Sequence, residues 1–306
     1  MMIRMTSTPR VEPAVMRALD PKRTPGSTRP LELAPKRVHA LGLTYAAHIN
    51  ETGADGEGPA VFAKDAASLL RHGDAVSSPS RAAMLEAVSK LDAGLGSKLD
   101  SRFPTLPPLL DYEVELGLLL LEDVRREDLE KPGFAPPVGY FLANDVTART
   151  VQVLGEGRAD RMAFWGAAKS FPGFLVAGPL LWVPDVPQAA ACLDVMLTLT
   201  VNGEPRQRGR TMDLIAVPRE LLLRAARATA SGVLEKGDVV LTGTPSGVAF
   251  TVPAWKRKLA ALLPGPGARL SAALRAHSRN PLMLKAGDVV EMDGGVLGQQ
   301  RFTVSA

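Results

Sequence analysis

The sequence predicts a strand-dominated α+β protein, with helices inserted between strands rather than alternating with them. Three observations lead there. Twenty-eight Gly and 25 Pro in 306 residues imply many turns, which suit strands better than a helix bundle. Strand-like segments recur from residue 38 to the C-terminus, and Asn202-Gly203 between two of them is a strong hairpin signal. The chain has no internal repeat and no low-complexity tract, and its helical stretches fall irregularly between the strands.

Residues 1–36 are rich in Pro and Arg without periodicity, and are expected to form an N-terminal arm that packs on the body or stays mobile. The body, 37–306, opens with a strand over 38–43 that runs into Tyr45-Ala-Ala-His48-Ile-Asn-Glu51. His48 and Glu51 stand three apart, so on a helix they share a face. Thr52-Gly53-Ala-Asp-Gly56 ends that turn. Residues 81–95 read as an amphipathic helix with Met84, Leu85, Val88 and Leu91 on one side. Pro104, Pro107 and Pro108 then lead into an acidic strand, 111–116. Further strands are expected over 139–146, 174–183 and 194–202, a helix over 218–230, and a strand-to-turn passage over 239–247. Two short helices, 254–263 and 268–278, are expected on either side of Pro264-Gly-Pro-Gly267, and two strands, 288–293 and 299–304, close the chain.

Composition narrows the function classes. With 46% hydrophobic and 22% charged residues the chain is globular in type, and no apolar run approaches the ~20 residues that cross a bilayer, so no membrane partner is expected. The N-terminus lacks the apolar core of a signal peptide, and Pro13, Pro21, Pro25 and Pro30 oppose a presequence helix. Cys192 is the only cysteine, which excludes internal disulfides and thiolate zinc clusters and suits a reducing cytoplasm. The net charge of +4 is uneven: 239–287 holds seven Lys or Arg and no Asp or Glu. Such a patch draws in an anionic substrate or a nucleic acid, or is simply a solvated pair of helices. Aromatics at 5%, with no helix-turn-helix, zinc-finger or RNP pattern, argue against nucleic acid.

The chemistry centres on Asp111-Tyr-Glu113-Val-Glu115-Leu116. In an extended strand Asp111, Glu113 and Glu115 point one way and Tyr112, Val114 and Leu116 the other. The following Gly117-Leu-Leu-Leu-Leu121 is too apolar for a freely solvated segment, so the like charges need a cation between them, most simply a hard divalent ion held by carboxylate oxygens. The alternative is an edge strand whose acidic face meets water.

Eight segments in register resemble the fumarylacetoacetate hydrolase (FAH) family. They are Gly42-Leu-Thr-Tyr-Ala-Ala-His48-Ile-Asn-Glu51, Phe62-Ala-Lys64, Asp111–Leu116, Asn144-Asp-Val-Thr-Ala-Arg149 with Gln152, Lys169-Ser-Phe171, Val201-Asn-Gly-Glu204 with Gln207, Thr211-Met-Asp213, and Gly237-Asp238 through Thr242-Gly-Thr-Pro-Ser-Gly247. The resemblance implies an FAH-type mixed β-sandwich roll, usually dimeric, that binds Mg²⁺ or Mn²⁺ (Ca²⁺ is the further candidate) and acts on 2-oxo acids and 1,3-dicarbonyl compounds. Carried over by position, it implies Glu113, Glu115 and Asp145 as metal ligands, which leave open positions on an octahedral ion for a chelating keto acid. Without it, Asp145 reads as a turn or capping residue.

The resemblance also implies that His48 and Glu51 activate water, the carboxylate fixing the tautomer of the imidazole and raising its basicity. Lys169, in a small-residue apolar setting, would offset negative charge on the departing enolate or the tetrahedral oxyanion, or else form a structural salt bridge to Asp145 or Glu115. Arg149 and Gln152 are implied to face the substrate or support those that do, although Arg149 equally suits neutralisation of the acidic cluster. Thr244 lies on a tight loop able to hold a substrate carboxylate, or in an ordinary turn. His39, His72 and His277 have no such context and read as structural.

Departures bear on substrate identity. Thr150 stands where the family usually has an acidic residue, Pro172-Gly173 replace a common Asp-Thr, and residues 74–110 and 251–284 read as insertions. The expectation is a metal-dependent C–C bond hydrolase acting on an acylpyruvate- or fumarylacetoacetate-like acid, a small anionic keto acid. A decarboxylase, hydratase or isomerase of 2-oxo acids is the alternative on the same fold. A non-catalytic binding protein using the basic 254–281 segment is the alternative from another class.

Overall fold

The computed structural model describes residues 16–52, 59–71, 73–252, 263 and 265–306, with the main chain alone at 50–52. Its centre is a seven-stranded mixed sheet in the spatial order Gly26–Pro30, Leu175–Pro184, Val138–Asp145, Val114–Leu120, Val239–Leu241, Val38–Gly42, Ala60–Lys64. All neighbours are antiparallel except Val239–Leu241 beside Val38–Gly42. A second sheet of five runs Glu204–Arg210, Met196–Val201, Val289–Asp293, Gln299–Ser305, Val76–Ser77. The expected hairpin is present, with Asn202 and Gly203 at φ 53° and 80°, the left-handed pair that matches strand twist.

The two sheets enclose the main core. Leu116, Leu118 and Leu120 point into it beside Leu197, Leu199, Val290 and Met292, while Leu119 and Leu121 pack on a smaller core with Phe141, Leu175 and Val239 on the opposite face. This is the period of two at work: a strand covered on both faces is apolar throughout. Gly117 is required there, because a Cβ at that position would collide with the Phe141 ring.

Several expectations are corrected. The acidic segment is not one strand: Leu110–Asp111 pairs with Thr147–Ala148, and Val114–Leu120 enters the main sheet. At the break the Glu113 N–H donates to Asn144 Oδ1 (3.2 Å) and the Val114 N–H to Gln207 Oε1 (2.9 Å), so side chains replace the ladder. The helix expected over 81–95 stops at Leu91 and a second runs from Ala93 to Arg102. Asp92 causes the break: its backbone is extended and its carboxylate accepts from the Leu95 N–H at 2.9 Å, capping the second helix. The helix expected to start at 268 begins at Gly265, since Pro266 is tolerated in a first turn that needs no N–H.

The described part of the arm is knitted into the body. Gly26–Pro30 supplies the edge strand beside Leu175–Pro184, and Arg17–Leu19 pairs with Ala191–Leu193 in parallel. All five residues of Gly26–Pro30 are exposed, which is why no periodicity marks them. Residues 1–15, the Gly53-Ala-Asp-Gly56 turn, His72 and the helix expected over 254–263 lie outside the described residues, apart from residue 263. Among the described residues no helix is long and apolar enough to cross a membrane.

Candidate metal centre

The register between Val114–Leu120 and Val138–Asp145 assembles the centre. Val114 faces Asn144, and the Asp145 N–H donates to the Glu113 carbonyl at 2.9 Å, so Glu113, Glu115 and Asp145 meet at one end of the sheet. One carboxylate oxygen from each lies within 4.8 Å of the others, and all three residues are buried. Asp111, Glu113 and Glu115 are 0%, 6% and 1% exposed, which rules out an acidic face turned to water.

Two lysines enter from the sides. Lys169 ends the helix Arg161–Lys169, and its Nζ lies 2.6 Å from Glu113 Oε2 and 2.8 Å from both Asp145 Oδ2 and Thr147 Oγ1. Asp145 Oδ2 is in ion-pair contact with that ammonium but off the line of a hydrogen bond. Lys64, at the end of Ala60–Lys64, donates to Asp145 Oδ1 (2.8 Å), to the Phe174 carbonyl (3.1 Å) and to the Lys169 carbonyl. Of the salt bridges expected for Lys169, that to Asp145 forms, and its other partner is Glu113.

Charge compensation is unequal. Burial opposes ionisation of Glu113, but Lys169 and Arg149 outweigh it and hold the carboxyl below its ordinary value. Burial likewise opposes the Lys169 ammonium, yet Asp145 and Glu113 hold its pKa above the ordinary value, whereas burial wins at Lys64 and lowers it. Among the described residues Glu115 has a single backbone donor, the Gly243 N–H at 2.8 Å, and burial together with the Asp145 and Glu113 charges pushes it well above the ordinary carboxylate range. A hard divalent cation fits this donor set: three buried carboxylates converge, and one of them has too little positive charge beside it.

Arg149 opens the helix Arg149–Leu154 and ties the back wall. Its Nε donates to Asp111 Oδ2 (2.8 Å), its Nη1 to Gln152 Oε1 (2.7 Å), and its Nη2 lies 2.6 Å from Glu113 Oε1. Asp111, which strand alternation placed with the other carboxylates, is turned to Arg149 and to the N–H groups of Ala249 and Phe250. The loop after Val239–Leu241 runs along the strand Val114–Leu120. Thr242 Oγ1 donates to the Leu116 carbonyl (2.9 Å) and Thr244 Oγ1 to the Val114 carbonyl (3.0 Å), while Gln207 Nε2 donates to Thr244 Oγ1 (2.8 Å). His48 is half-buried on the helix Ala46–Thr52, and the Glu51 side chain lies outside the described residues.

Sequence reasoning gave no role to Lys64 and Gln207, although both stand in segments quoted for the resemblance. Lys64 is 4% exposed and Gln207 3%, and the local sequence carried no signal of it: their burial comes from partners in distant segments, Asp145 and Phe174 for Lys64, Val114 and Thr244 for Gln207.

The Fumarylacetoacetate (FAA) hydrolase C-terminal model matches residues 37–305. Oxaloacetate tautomerase YisK of Bacillus subtilis is 30% identical over 233 residues, covering 74% of this chain and 65% of that protein. The 2,4-didehydro-3-deoxy-L-rhamnonate hydrolase of a Sphingomonas species is 31% identical over 195 residues, 64% of this chain and 55% of that protein. The structure of fumarylacetoacetate hydrolase from Exiguobacterium antarcticum superposes with a TM-score of 0.55 at 26% identity, covering 90% of this chain and 77% of that one. The family is enzymatic, with hydrolase and tautomerase members among these relatives. A match across nearly the whole body, on a fold and a carboxylate cluster of this kind, leaves one conclusion: the chain belongs to the fumarylacetoacetate hydrolase family.

Proposed function

We propose that the protein is a divalent-metal-dependent hydrolase that cleaves a C–C bond in an acylpyruvate-like 1,3-dicarbonyl acid. The observation that carries this reading is the buried Glu113–Glu115–Asp145 cluster with the Lys169 ammonium 2.6 Å from Glu113. Those three carboxylates would hold Mg²⁺ or Mn²⁺, which supplies Lewis acidity toward the 2-oxo-carboxylate end of the substrate. His48 takes a proton from water, the role the family resemblance gives it together with Glu51, and the hydroxide adds to the distal carbonyl carbon. Lys169 offsets charge on the oxyanion that forms. Breaking the C–C bond leaves a carboxylic acid and the enolate of pyruvate, which a proton converts to pyruvate. Arg149 and Gln152 support this from the back wall, and Thr244 from the neighbouring loop.

The test is turnover of a small acylpyruvate, followed by loss of its enol absorbance, on metal-stripped protein and again with added Mg²⁺ or Mn²⁺. Metal-restored formation of pyruvate and a carboxylic acid is expected. His48→Ala should lose turnover by about 10²-fold or more while Mn²⁺ binding persists. Loss of Mn²⁺ binding in that variant would make His48 a ligand and overturn the assignment. A second reading, oxaloacetate tautomerisation, is favoured by the 30% identity to the Bacillus subtilis tautomerase. Metal-dependent interconversion of oxaloacetate tautomers, with no cleavage of any acylpyruvate, would select it.

A further inference from the structure

The chain leaves the centre at Phe250 and comes back to it at Asn280. The N–H groups of Ala249 and Phe250 donate to Asp111 Oδ1 and Oδ2 at 2.8 and 3.0 Å, the carboxylate that Arg149 also holds. Asn280 Nδ2 donates to the Ala249 carbonyl at 2.9 Å, and the Leu284 N–H to the Leu110 carbonyl at 2.9 Å. Between these anchors the helix Gly265–His277 packs on Arg149–Leu154, with Leu270 fully buried and Arg269 donating to the Glu156 carbonyl. In its last turn buried His277 stacks on Phe250, ring centroids 4.2 Å apart and planes 31° from parallel. The guanidinium carbon of Arg149 stands 5.9 Å from the centroid of the same Phe250 ring.

We propose that Phe250, backed by His277, is the positioning residue for Arg149 and through it sets the orientation of Glu113 in the metal centre. The inference rests on the metal-centre reading above. The physical basis is a relay of three contacts. The stack with His277 holds the Phe250 ring, whose negative face attracts the guanidinium within about 6 Å. That plane in turn decides how Arg149 divides its donors between Asp111, Gln152 and Glu113. Groups that orient a metal ligand typically change metal affinity without touching the ion, and Phe250 acts one residue further out.

The experiment is calorimetric titration of metal-stripped protein with Mn²⁺ alone, on wild type, Phe250→Ala, Arg149→Ala and the double variant. Phe250→Ala is expected to weaken Mn²⁺ binding roughly three- to tenfold in the wild-type background, and to change nothing once Arg149 is gone. Phe250→Tyr and His277→Phe, which keep the stacked rings, should keep wild-type affinity. Phe250→Leu keeps the bulk without the aromatic face; it should behave as Phe250→Ala does, and it serves if the alanine variant does not fold. An equal loss in both backgrounds, or no loss in either, would overturn the proposal. A wild-type protein that takes up no Mn²⁺ would overturn the metal-centre reading itself, and this inference with it, which is a different result from a wild type that binds and variants that bind equally well.

Discussion

Lys64 and Lys169 grip opposite oxygens of one carboxylate, Lys64 Nζ lying 2.8 Å from Asp145 Oδ1 and Lys169 Nζ 2.8 Å from Asp145 Oδ2. Both ammonium groups are buried, so Asp145 is a counter-charge shared by two interior cations, the only carboxylate in ion-pair contact with Lys64 among the described residues, while Lys169 has Glu113 as well. Asp145→Asn should therefore destabilise the metal-free protein by about 3–5 kcal/mol, read from chemical denaturation. Adding Lys64→Met to that variant removes one stranded charge and should recover part of the loss. If the two substitutions simply add, the pair is not coupled in this way.

Glu115 gives the centre a pH dependence whose sign is fixed by burial. Its carboxyl is held well above the unfolded value of 4.5 by burial first, then by Asp145 and Glu113. The folded, metal-free protein thus keeps a proton that the unfolded chain releases. Stability from that proton is whole below the unfolded value and is lost as pH rises through the folded one. Glu115→Gln, which cannot ionise, should raise the denaturation midpoint of metal-free protein at about pH 8 and give no advantage at about pH 4. Mn²⁺ must displace the proton, so wild-type affinity should climb with pH over the same interval. A midpoint shift of the same size at both pH values would contradict this account.

Gly243 couples loop geometry to the centre. It stands at φ 88°, a Cβ there would collide with Thr44 Oγ1 and lie 2.9 Å from the Leu41 carbonyl, and its N–H is the backbone donor to Glu115. Gly243→Ala should cost about 1–3 kcal/mol of stability and also weaken Mn²⁺ binding. Thermal melting with and without Mn²⁺ checks both: a variant that melts earlier yet gains as much from Mn²⁺ as wild type would separate the loop from the metal.

The buried carboxylate pair Glu113 and Glu115 was legible locally, since alternation put both carboxylates on one face and the leucines that follow demanded burial. Asp145 was not. Its meeting with them depends on Val114 facing Asn144, a pairing between distant segments that no local pattern encodes, and only the resemblance supplied it. The same holds for Lys64, whose segment Ala-Val-Phe-Ala-Lys reads as an ordinary strand until its partners are known. Asp92 shows the opposite failure: the apolar spacing of 81–95 looked continuous, and one carboxylate capping Leu95 cut it in two. Gly26–Pro30 left no trace because an exposed edge strand is held by main-chain bonds, which composition does not record.

The strand Val239–Leu241 lies between Val38–Gly42 and Val114–Leu120 in the main sheet. On a ribosome the strand Val114–Leu120 therefore emerges, and must wait beside an open edge, long before its neighbour exists. Until 241 is out, no strand joins Val38–Gly42 and Ala60–Lys64 to the rest of the main sheet. Synthesis that pauses upstream of this point leaves an apolar edge free to pair with another nascent chain, whereas a pause downstream finds the sheet already closed. The yield of native protein should therefore respond more to translation speed before residue 239 than after it.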